Sequence, residues 1–285
     1  MRGKLAIVDK GKNSFPCGGG AEDAILCFIH FTAERANGRR GAPGRKGAGN
    51  GGTAAPRMRE AATMTMHLMQ AGVLGLAGLV GGYWLPALAN RLAERKAAQK
   101  GGPLPEDNRY TGLPIRAGAA LFAMAGGALS GLFTGSAPGA ALLALLWAET
   151  FPLAVVDLRI HVVPNELVLM MAGLGVLLQL ALFGPLRLLS ALAAVAALLA
   201  IFLLLMGLLG SGTVGAGDIK LAGAMGLALG YPHVLYALVG MGAALAVYCA
   251  AGFAAKKLTL RSFLPFAPFL MAGMAAALAM MAVGL

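Results

Sequence analysis

From residue 67 onward the chain repeats one device, a run of mostly apolar residues closed by a short polar connection. The runs cover 67–90, 116–134, 138–156, 165–184, 187–209, 219–230, 231–255 and 264–284. A helix needs about 20 such residues to cross the hydrocarbon core of a bilayer. All the runs but the sixth come near or exceed that length. The count is therefore eight crossings, or seven if the sixth and seventh form one helix broken at Tyr231-Pro232. Only 12% of the residues are charged, against about a quarter in a soluble domain. That is too few to coat a water-facing surface without leaving large apolar patches. In lipid every backbone polar group must be satisfied within the protein, which runs of this length achieve as helices. The expected fold is an all-α polytopic membrane protein of about eight transmembrane helices, with the lipid bilayer as its first partner.

The net charge of +11 does not point to nucleic acid, and none is expected as a partner. Eleven of the 23 basic residues lie at or before Arg59, and the other twelve sit mostly in short connections. If the runs alternate in direction, the connections fall into two sets. One set holds Arg91, Arg95, Lys96, Lys100, Arg109, Arg116, Arg159, Lys220, Lys256, Lys257 and Arg261; the other holds only Arg187. Basic residues mark cytoplasmic loops, so the first set is expected in the cytoplasm, and Asp157 and Asp218 with it.

Residues 1–57 differ from everything that follows. RANGRRGAPGRKGAGNGGTAAPR is Gly-rich and basic and has almost no large apolar side chains, so it cannot bury enough to fold. The apolar run 24–31 is too short to span a bilayer, and no apolar core follows the early basic residues as a secretory signal would require. This segment reads as a disordered tail or as an extension ahead of the true start, with Met58, Met64 and Met66 as candidate starts. Cys17, Cys27 and Cys249 form no CxxC pair, so neither a zinc site nor a disulfide framework is expected.

Seven acids follow residue 60. Glu94, Glu106 and Asp107 fall in the polar stretch 91–115 and read as solvated. Glu166 opens an apolar run, where a carboxylate suits the positive end of a helix dipole. Glu149, Asp157 and Asp218 remain, and ionisable groups at membrane depth are by default candidates for function. Glu149 lies two helical turns, roughly 12 Å, deeper than Asp157 and reads as a buried, neutral or hydrogen-bonded group. Asp157 closes the third run in FPLAVVDLRIHVVPNELVL, where Pro164 breaks the chain and Asn165 can cap the next helix. The plain alternative is an interfacial Asp157 paired with Arg159.

Asp218 lies in GSGTVGAGDIKLAGAMGLALG. Gly210, Gly212, Gly215 and Gly217 precede it, and Gly223, Gly226 and Gly230 follow at spacings that let another helix come close. As a helix N-cap Asp218 would be structural only, which explains its position but not the glycines before it. Two carboxylates brought close cannot both ionise cheaply. One then draws a proton from water while the other, protonated, polarises a carbonyl. The sequence by itself does not bring the two together.

GAGDIKL (215–221) resembles the GxGDxKL motif of type IV prepilin peptidases. DLRIHVVPN (157–165) resembles the D-x-R-x-x-x-[IV]-P-N stretch around their first catalytic aspartate. LPFAPFLMAG (264–273) is similar to their C-terminal PFGPFL segment, with Ala267 in place of glycine. GGYWLPALANRL (81–92) resembles their early G-S-F-L-N-V-x-x-x-R-L, matching at Gly82, Leu85, Arg91 and Leu92. The resemblance covers roughly residues 70–285. It implies a GxGD-type intramembrane aspartic endopeptidase of the bacterial cytoplasmic (inner) membrane, cutting the leader from prepilins or pseudopilins at the cytoplasmic face. Asp157 and Asp218 take the catalytic pair. Gly215, Gly217, Lys220, Arg159, Pro164 and Asn165 match supporting motif positions, and Lys220 and Arg159 could equally be snorkelling residues.

The organisation expected is then an extension at 1–57, a first transmembrane helix with a cytoplasmic loop at 58–115, and a peptidase membrane domain at 116–285. Bifunctional members of that family also N-methylate the new terminus, and many carry a CxxC…CxxC zinc loop after the first span. Residues 91–115 contain no cysteine, so the loop reads as degenerate and no metal is expected. The peptidase step implies no cofactor; S-adenosylmethionine enters only if methylation is retained. Presenilin-type peptidases place a PAL motif after the second aspartate, whereas Pro86-Ala87-Leu88 precedes both here. The rival readings are a proton-coupled transporter, which would hold its acids near mid-membrane and often in repeats, and a structural membrane assembly protein.

Overall fold

The computed structural model describes residues 54–99, 110–209, 215–256 and 265–284. The chain forms two units, Met1–Ala54 and Ala55–Leu285, and the fold below is that of the second. The expectations for residues 1–53, for Glu106 and Asp107, and for Cys17 and Cys27 lie outside the described residues.

Among the described residues there are eight helices and no strand. They are α1 (Ala54–Gln99), α2 (Leu113–Phe133), α3 (Ala137–Ile160), α4 (Asn165–Phe183), α5 (Arg187–Leu209), α6 (Ala216–Leu229), α7 (His233–Ala254) and α8 (Ala267–Val283). Their order follows the apolar runs. Six, α1 to α5 and α7, are long and apolar enough to cross a membrane, which makes this a multi-pass membrane protein. The other two are shorter, 14 residues in α6 and 17 in α8.

One element departs from the sequence reading. The polar stretch after residue 90 does not open a loop; α1 continues through it to Gln99. No glycine or proline occurs between Pro86 and Gly101, and Ala, Arg, Glu, Lys and Gln are good helix formers. At 1.5 Å per residue the 46-residue helix is roughly 70 Å long, so it overhangs a hydrocarbon core of about 30 Å.

Close backbone approach organises the packing. Gly78 and Gly82 of α1 rest on the backbone of Ala123 and of Ala119 and Ala120 in α2, while Gly127 and Gly131 of α2 rest on Leu74 and Ala71. A β-carbon at any of the four would overlap its neighbour. In α6, Gly226 faces the backbone of Val195 in α5, and Gly175 of α4 faces Ala228. Of the glycines after Asp218, Gly226 makes the expected close approach, whereas a β-carbon on Gly223 would meet only Leu199 Cδ2 at 3.9 Å. Gly230 has another reason: it ends α6 at φ 63, where glycine is at ease. The core runs through α3, α4, α6 and α8, with Leu146, Leu153, Met171, Leu178, Leu221, Met225, Leu270 and Met274 almost fully buried. Gln179, buried among them, donates to the carbonyl of Ala228 at 2.9 Å and so pins α4 to the end of α6.

The helices alternate in direction. The end of α3, the starts of α4 and α6, and the overhang of α1 converge on one cavity at one end of the bundle. At the other end Arg187, at the start of α5, donates to the carbonyl of Tyr231 in the α6–α7 turn at 2.8 Å. This alternation is the premise on which the basic connections were sorted.

Candidate active site

Helix α3 ends because His161 turns into the left-handed conformation (φ 50, ψ 40), its N–H donating to the carbonyl of Asp157 at 2.8 Å. Pro164 then holds an extended backbone (ψ 128) and α4 begins. Pro152, buried inside α3, removes one backbone bond ahead of the last turns. Asp157 is thus carried on the final turn of a helix against a four-residue connection. It is 5% exposed. The backbone amide of Ala267, at the start of α8, lies near its carboxylate. Its Oδ2 is buried and has no hydrogen-bond partner.

Asp218 is the third residue of α6. The N-cap is Gly215, with no side-chain cap bond, so Asp218 is not an N-cap. Its carboxylate instead folds back towards Gly215, while its own N–H donates to the Gly215 carbonyl at 3.0 Å. A β-carbon on Gly215 would stand 3.1 Å from Asp218 Oδ2, and one on Gly217 would stand 3.3 Å from Val163 Cβ. The two glycines of the motif therefore have separate tasks. Gly215 leaves room for the Asp218 carboxylate, and Gly217 lets the start of α6 lie against the connection that follows Asp157.

The two aspartates line one cavity of about 430 Å³. Asn165, Gly215, Gly217 and Lys220 line it as well. Asp218 lies ahead of the apolar part of α6 and outside the membrane-length helices. Its burial, and then the charge of Asp157, push its carboxyl up to about 6. The arrangement can therefore keep one proton shared between two acids beside a water-accessible space.

Several sequence expectations need correction. Asn165 does not cap α4: Pro164 is the N-cap, without a side-chain cap bond, and Asn165 turns to the cavity. Arg159 neither pairs with Asp157 nor lines the cavity; its guanidinium lies over the Tyr110 ring at 5.7 Å. Pro164 sets the backbone between cavity residues but does not line it. Glu149 is 3% exposed with both carboxylate oxygens lacking a hydrogen bond, and it does not reach the cavity. Glu166 is not merely a dipole partner: it pairs with Lys96 at 2.6 Å, the sole ion pair among the described residues.

The sequence reading missed Lys96, Gln99, His161, Val162, Val163 and Ala216 as cavity residues. The unbroken helix-forming stretch after Pro86 was the signal for the first two. For the connection, the signal was its place between Asp157 and Pro164 within a recognised motif.

A family model described as the type IV leader peptidase family matches residues 140–285, half of the chain and both aspartates. No curated protein and no solved structure matches the chain.

Proposed function

The chain belongs to the type IV leader peptidase family, and on that premise we propose that it is an aspartic endopeptidase that removes the leader from prepilins or pseudopilins. The observation that carries this reading is that Asp157 and Asp218, on separate helices, line the same cavity. Asp218 takes the protonated role, because burial and the neighbouring charge push its carboxyl up to about 6. Asp157 is the base. It draws a proton from water, whose oxygen attacks the scissile carbonyl carbon while Asp218 donates to the carbonyl oxygen. The tetrahedral diol collapses as the amine leaves with the proton Asp157 took, and a diol proton returns to Asp218. The products are a leader carboxylate and a free N-terminus.

The reaction as proposed consumes water and needs no metal or other cofactor. S-adenosylmethionine would serve only to methylate the new terminus, a step that an assay with labelled methyl donor would detect. The location that fits is a bacterial cytoplasmic membrane with the basic connections, and so the cavity, on the cytoplasmic side. Cleavage of a prepilin by purified protein is the test. Asp157→Asn and Asp218→Asn should each lose at least about a thousandfold in rate, as expected when one partner of an acid–base pair is removed. Cleavage at the parental rate by either variant would remove that residue from the dyad.

A further inference from the structure

One wall of the cavity has no part in that chemistry, and it comes from outside the matched region. Ala89 and Ala93 of α1 are fully buried against Val155 and Val156 of α3. This contact fixes α1 beside the turn that carries Asp157. The same helical face continues to Lys96 and Gln99, spaced at intervals of three and four residues, and both side chains line the cavity. Lys96 Nζ donates to Glu166 Oε1 at 2.6 Å and to Gln99 Oε1 at 3.3 Å. The Glu166 side chain is 59% exposed. An ion pair so open to water adds little stability; its effect is to place the ammonium at the cavity wall.

A peptide bond enters such a cavity only on an extended chain, whose N–H and C=O groups arrive without partners. We infer, on the footing of the peptidase reading, that Lys96 and Gln99 bind the backbone of the extended substrate segment beside the scissile bond. The ammonium and the amide N–H groups donate to substrate carbonyls, and Gln99 Oε1 accepts from a substrate N–H. Glu166 is a positioning residue that aims Lys96. Cavity residues from α1 thus complete a cleft whose acids come from α3 and α6.

The test measures KM and kcat separately on full-length purified protein with a prepilin-type peptide comprising leader and apolar helix. K96A should raise KM about three- to tenfold, the loss of one charge-assisted hydrogen bond, and the K96A/Q99A pair should raise it further. K96R should restore most of the loss, E166Q should raise KM less than K96A does, and kcat should stay within about twofold in each. Folding is not at stake, because Ala89 and Ala93 dock the helix. An unchanged KM in K96A/Q99A overturns the inference, as does a fall in kcat at constant KM, which would make α1 a support only. D157N separates the two levels. If it still cleaves, the dyad reading fails; if it is inactive while K96A/Q99A binds normally, the α1 wall alone fails.

Discussion

At the scale of single residues, the acids divide by surroundings rather than by depth alone. Asp157 and Asp218 share a cavity. Glu149 lies outside that cavity, and neither of its carboxylate oxygens has a hydrogen bond. Glu149→Gln keeps its shape and removes its acidity, so cleavage should stay within about threefold of the parent, a change of less than about 1 kcal/mol. A loss as deep as that of Asp157→Asn would give Glu149 a place in the reaction. The proposed dyad works with one proton, so on that reading activity is lost as pH rises past the point where that proton leaves. With Asp218 pushed up to about 6, the alkaline limb of kcat/KM should fall at about pH 6 or above. A limb near 4, the ordinary carboxylate range, would contradict the role given to Asp218. Gly217→Ala should push α6 from Val163 by a few tenths of an ångström and lower kcat roughly tenfold, since reacting groups tolerate little misplacement. Unchanged kcat would show that the connection yields. The sequence singled out both aspartates and both motif glycines, and all four line the cavity. It could not show that Asn165 turns from the helix end to the cavity, or that Arg159 leaves Asp157 for Tyr110. Those choices depend on which side chains lie across the fold.

At the scale of elements, apolar length marked every helix, because a membrane helix must satisfy its backbone within itself. Polarity misled at the end of α1. Residues 91–99 are charged, a composition that suggests a loop, yet they form a helix that overhangs the bilayer and walls the cavity. Hydropathy reports the solvent around a segment, whereas helix propensity and the lack of breakers report its shape. The α1–α2 pair shows what small residues do. Gly127→Leu would drive a side chain into the backbone of Leu74 and should destabilise the pair by about 1–3 kcal/mol, read as a lower melting temperature in detergent. A parental melting temperature would mean that α1 and α2 do not depend on this contact.

At the scale of the whole molecule, the proposed orientation rests on loop charge, with the basic connections on the cytoplasmic side. The alternating helix directions make that orientation testable. Leu186, in the turn before α5, is 82% exposed, and Lys256 lies at the opposite end, after α7. In a chain cleared of its native cysteines, Leu186→Cys should react with an impermeant maleimide in intact cells. Lys256→Cys should react only after the membrane is opened. The reverse pattern would turn the protein over and put the cavity outside the cytoplasm.

The Ala267 amide that meets Asp157 has a consequence for the order of events during synthesis. Asp157 leaves the ribosome with α3, its partner acid follows with α6, and the amide arrives only with α8. On the proposed mechanism, a chain made only as far as α5 carries the base without the acid that must act with it. On that reading the order of the chain delays any cutting until α6 has been made.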